Sequence, residues 1–85
     1  MPSTSLAQEL TQEQLFLMNA SFTVGSLKTV CILYEEEVLT REEVRLYSLG
    51  YMENIKETET GASLAGSLKG LDKSKNDHPD CPLPD

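Results

Sequence analysis

"YEEEVLTREEV", Tyr34–Val44, decides the fold of this chain. Read without a stop, it carries one long bent helix through Leu39. Read with a stop, it ends one helix and starts another. The stop is the better reading because Thr40 and Glu43 stand three residues apart, as a capping box requires: the Thr side chain accepts from the backbone N–H of Glu43, and the Glu side chain returns to the N–H of Thr40. Leu39 precedes the cap and Val44 lies four residues past it, the two jaws of a hydrophobic staple.

The same pattern occurs once more, upstream. "LTQEQL", Leu10–Leu15, pairs Thr11 with Gln14 as the box and Leu10 with Leu15 as the staple. Prolines stand only at positions 2, 79, 82 and 84, so Ser3 to His78 is free of the main helix breaker. These signals predict an all-α fold: an antiparallel helical hairpin with a long helix over about 12–38 and a second over about 41–58. Domain limits follow, with residues 1–10 a flexible N-terminus, 11–71 a single small helical domain and 72–85 a disordered, acidic and Pro-rich tail.

Periodicity supports the hairpin. At about 100° per residue, Phe16, Ala20, Val24, Leu27, Val30, Cys31, Tyr34 and Val38 fall on one core-facing stripe. Leu15, Met18, Phe22 and Leu33 form a second apolar band. In the second helix Val44, Tyr47, Tyr51 and Ile55 share a face, whereas Leu46 and Leu49 point elsewhere. One hairpin covers one stripe per helix. The surplus bands therefore predict completion of a bundle by dimerisation, by a partner, or by the segment after residue 60. There "GASLAGSLKGL" places Leu64, Leu68 and Leu71 at helical spacing, a possible short third helix weakened by three glycines. The rival for residues 21–34 is a β-hairpin turning at Gly25-Ser26, favoured by the β-branched content of that stretch.

Composition narrows function. Among 85 residues, fourteen acids face seven bases for a formal net charge of −7, which disfavours direct contact with nucleic acid or an anionic membrane. For a helix-turn-helix DNA binder built on residues 39–64, the second helix would offer only Arg41, Arg45 and Lys56 against five acids from Glu42 to Glu59, too few cations for phosphate. The apolar runs are short, such as "LFLM" and the five-residue "VCILY", which predicts no membrane span. No secretory signal opens the chain. Cys31 and Cys81 make no disulfide framework and read as reduced thiols of a cytoplasmic protein.

Catalytic chemistry has little to stand on. The only histidine, His78, lies in the expected tail, so no Ser–His or Cys–His pair can be held in geometry. Asp77, His78, Asp80 and Cys81 form one ligand-rich run without the second cluster a structural zinc site draws on, and read as solvated tail. No catalytic residue, metal or cofactor is expected. "LTQEQLF" resembles the opening of the small helical-hairpin adaptors that trigger phycobilisome breakdown; the likeness spans Leu10–Phe16, and no residue role follows from it.

What remains is a non-enzymatic interaction module, a small regulatory or adaptor protein. Its candidate apolar contacts are Leu15, Phe22, Leu33, Leu46 and Leu49. Its candidate acidic contacts are Glu35, Glu36, Glu37, Glu42 and Glu43, facing a partner with a basic or apolar groove, or a second copy. The alternative is an acidic inhibitor that fills the nucleic-acid groove of a target protein, of the mobile-element or phage anti-defence type. The helical reading carries a direct check: far-ultraviolet circular dichroism of the purified chain should show helix throughout, and a substantial sheet signal would remove the hairpin of helices.

Overall fold

The computed structural model describes residues 10–85. The expected flexible segment at residues 1–9 lies outside them. Three helices follow one another: α1 Gln12–Glu35, α2 Arg41–Thr58 and α3 Gly61–Asp77. Among the described residues there is no strand, and residues 21–34 lie wholly within α1, so the β-hairpin alternative fails.

Both capping boxes form. Gln14 N–H donates to Thr11 Oγ1 at 3.0 Å while Thr11 N–H donates to Gln14 Oε1 at 2.9 Å. The corresponding distances at Thr40 and Glu43 are 3.1 Å and 2.8 Å. These four bonds satisfy backbone donors that helix starts leave unpaired, which is why both helices begin where the side-chain pattern places them.

The first helix ends three residues earlier than its apolar period suggests, at Glu35 rather than position 38. Val38 N–H donates to Leu33 O at 2.8 Å and Glu37 N–H to Tyr34 O at 3.0 Å. That pair of bonds is a Schellman closure. It puts Glu37 at φ 62°, a left-handed conformation that costs a residue with a Cβ about 1 kcal/mol. Val38 is thereby turned out of the core stripe and left exposed.

Helix α2 runs back along α1. Val44 packs with Val30 and Cys31, and Met52 with Leu27. Its buried line is Val44, Ser48 and Met52, with Tyr51 and Ile55 half-buried beside it. Tyr47, expected on that line, is instead half exposed and stacks on Tyr51 with ring centroids 6.4 Å apart. Ser48 can be buried there because its hydroxyl donates to Val44 O at 2.7 Å.

Helix α3 is longer than a weak amphipathic segment would be, and it supplies the closest packing in the molecule. Its residues ascend beside ascending residues of α1, so the two run parallel: Gly66 lies against the Phe16 backbone, and Gly70 against Ala20 and Thr23. A Cβ on Gly70 would stand 2.7 Å from Ala20 O. Glycine here removes the side chain that would hold the helices apart, offsetting its poor helix propensity. Ser67 and Ser74 are also buried. Ser74 donates to Gly70 O at 2.9 Å, but Ser67 Oγ has no hydrogen-bond partner among the described residues.

In place of the disordered tail expected from residue 72, α3 continues to Asp77 and residues 78–85 lie across the bundle as a strap. Cys81 N–H donates to His78 O at 3.0 Å and Leu83 N–H to Cys81 O at 2.8 Å. Leu83 packs against both core clusters, one built on Val30, Cys31, Val44 and Cys81 and the other on Leu27, Met52 and Leu71. The result is an elongated body of 48 × 21 × 20 Å.

Adjacent substitutions to one residue type should have opposite signs. Gly66→Ala drives a Cβ into a backbone carbonyl that cannot step aside and should cost about 2 kcal/mol. Ser67→Ala removes an unpaired buried hydroxyl and should gain about 1 kcal/mol. Urea denaturation of the two variants beside the parent chain reads both values. A neutral Gly66→Ala would mean that the helices do not approach this closely.

Candidate interaction surface

The chemistry available to this fold begins with where its cysteines are. Cys31 and Cys81 are joined in a disulfide, with Cα atoms 5.6 Å apart and a sequence separation of 50. Both are buried. This corrects the reading of two reduced thiols. The pairing is invisible in the spacing because it depends on α3 running parallel to α1, which carries Cys81 to the level of Cys31. The bond also removes the Cys81 thiolate from the ligand-rich run, and His78 Nδ1 sits 3.1 Å from Glu35 Oε2, tying the strap to the end of α1.

Five carboxylates were candidates for an acidic contact, and three have work inside the chain. Glu43 closes its capping box. Glu42 lies 3.8 Å from Arg45 Nε, and Glu35 faces His78. Glu36 and Glu37 form no ion pair among the described residues. The crowding at this end is thus part structural.

The apolar candidates divide in the same way. Phe22 is 72% exposed and Leu46 60%, with Leu49 also exposed, whereas Leu15 and Leu33 are half-buried. Met18 and Leu17, neighbours of Phe22, are each more than half exposed. A shallow depression is lined by Leu17, Met18, Ser21 and Phe22. Leu46 and Leu49 do not line it; they occupy the outward side of α2 between Glu42 and Glu53, as their helical spacing requires. Sequence periodicity found Phe22, Leu46 and Leu49 because each falls opposite a core stripe. It assigned Leu17 to neither band, since Leu17 flanks both.

The reason so much remains uncovered is geometric. Helix α3 packs on the flank of α1 rather than over its second band, and it meets α1 through residues too small to spread across that helix. Helix α1 is also long and apolar enough to cross a membrane by length and composition, with mean hydropathy 1.4 over 18 residues. Counting apolar runs underrates it, because between Leu15 and Tyr34 the interruptions are Asn, Ser, Thr and Gly, with Lys28 the single charge. In this structure its inner stripe faces α2 and α3, and Lys28 stands outside that stripe, exposed at its margin.

The chain matches no protein-family model, no curated protein and no solved structure.

Closing a 50-residue separation should contribute about 4 kcal/mol through the entropy of the unfolded chain. Unfolded without reductant, the chain should take up no iodoacetamide; after reduction both cysteines should be labelled. Cys31→Ser/Cys81→Ser should lower the denaturation midpoint accordingly. Labelling of the unreduced unfolded chain would show that the bond is not made.

Proposed function

We propose that this chain is a non-enzymatic helical interaction module that docks another protein on the outer face of α1, with Phe22 as its anchor. The observation that carries this reading is the exposure of Phe22 at 72% beside Met18, on the helix around which the rest of the chain is built. Large aromatic side chains on a rigid element supply binding energy at small entropic cost, and α1 is held by α2, α3 and the strap. Nothing on that face needs to be formed on binding.

A regulatory or adaptor role suits this design, since the face presents recognition without a reactive group. The acidic end, with Glu36 and Glu37 in no ion pair among the described residues, supports an additional contact with a basic surface. Such a contact would act mainly on association rate and on salt dependence. The Cys31–Cys81 bond supports work in an oxidising compartment, against the cytoplasmic placement that the cysteine count suggests.

A photo-crosslinking phenylalanine analogue at position 22, in the full chain expressed in its native host, tests the anchor. Irradiation should give a discrete adduct, of twice the chain's mass if a second copy is the partner and of another defined mass if not. The same probe at the exposed Glu57 should give none. No adduct at position 22, or the same adducts at both positions, would overturn the reading. Phe22→Asp should abolish capture of that partner while changing folding stability by no more than about 0.5 kcal/mol, because the ring packs on little in the free chain.

A further inference from the structure

Between α1 and α3 runs a groove of about 420 Å³ lined by Ala20, Ser21, Val24, Gly25 and Gly70, with Lys28, Lys69 and Lys73 around it. Its floor is low because Gly70 carries no side chain and holds α3 against α1. A second hollow, toward the strap, shares Val24, Lys28 and Lys73 and adds Ser74, Asp77 and His78. In the other direction Ser21 joins the groove to the depression at Leu17.

The charge here is opposite to that of the chain. Three of its seven basic residues converge on this groove, in a protein with fourteen acids. Lys73 is paired with Asp77 at 3.2 Å, but among the described residues neither Lys28 nor Lys69 forms an ion pair. Two ammonium groups without carboxylates, above an apolar floor, are complementary to an anion with an apolar tail.

We propose that the groove binds a fatty-acid anion, with its carboxylate between Lys28 and Lys69 and its acyl chain lying along α1 toward Leu17. Leu17, Ser21, Val24 and Lys28 follow the i, i+4, i+7, i+11 spacing that forms one line on a helix. Eleven residues of helix span about 16 Å, the reach of a medium acyl chain. The carboxylate end lies where the groove and the second hollow share Lys28 and Lys73. There Lys73 remains engaged by Asp77, and His78 is turned to Glu35, so Lys28 and Lys69 are the two cations free to meet the head group. The tail end is apolar and open. The head-group end lies on the α3 side of α1, with Val24 and Lys28, while the tail end opens at Ser21 and Leu17 into the depression beside Met18 and Phe22.

Isothermal titration of the oxidised full chain with laurate, below its micelle concentration, tests the assignment. Laurate should bind saturably, one per chain. Lys28→Gln/Lys69→Gln should weaken it about tenfold, two exposed charge contacts being worth little more. Gly25→Leu should also weaken it by placing a side chain where a Cβ meets nothing within 4 Å, while leaving the circular dichroism spectrum intact. Leu49→Asp, on the outward side of α2 and outside the groove, should leave laurate affinity unchanged. The assignment is overturned by equal affinity for dodecyltrimethylammonium, by an unaltered affinity in the lysine variant, or by the absence of saturable binding. Binding to phosphatidylglycerol vesicles without binding of monomeric laurate would also overturn it, in favour of a membrane-facing cationic patch.

Discussion

The structure depends on two helices touching backbone to backbone. Gly66 and Gly70 let α3 settle against Phe16, Ala20 and Thr23 of α1, and every later contact follows from that approach. Parallel helices gain nothing from their dipoles, and α3 has no side-chain hydrogen bond at its start. Close packing has to supply the difference. Dispersion is individually small and grows quickly as atoms come into contact, so a seam of Gly and Ser side chains can hold helices that a leucine seam would keep farther apart.

Once α3 is parallel to α1, its end lies near the end of α1, and this determines the fate of the last eight residues. They cross the open end of the bundle, where Leu83 seals both core clusters and Cys81 meets Cys31. A chain of this length buries a limited core. Here the buried hydrophobic residues are few and several buried positions are Ser or Thr, so a covalent tie takes up part of the stabilising role that a larger apolar interior would have. The disulfide and the strap are consequences of small-residue packing as much as supplements to it.

The same packing leaves the functional surfaces. An α3 rich in Gly and Ser covers a narrow flank of α1. The outer side of that helix keeps Met18 and Phe22 in water, and the α3 flank keeps a lysine-rimmed groove. The apolar anchor and the cationic groove are thus two exposed margins of one central helix. The acidic end, by contrast, is partly consumed by local duties: Glu43 caps, Glu42 meets Arg45 and Glu35 meets His78.

Local chemistry was legible in the residues alone. Thr11 with Gln14 and Thr40 with Glu43 placed two helix starts at Gln12 and Arg41, because a capping box is closed by atoms three residues apart. The inner stripe from Leu27 to Cys31 and the exposure of Phe22, Leu46 and Leu49 were also legible, since helical phase is a local property. Only the tertiary structure decided that Gly66 and Gly70 form a seam rather than a weakness, that Ser48 and Met52 belong inside while Tyr47 does not, and that Cys31 and Cys81 are partners. Each of those outcomes rests on atoms brought together from distant parts of the chain, and hydrophobic periodicity carries no information about which helix lies opposite.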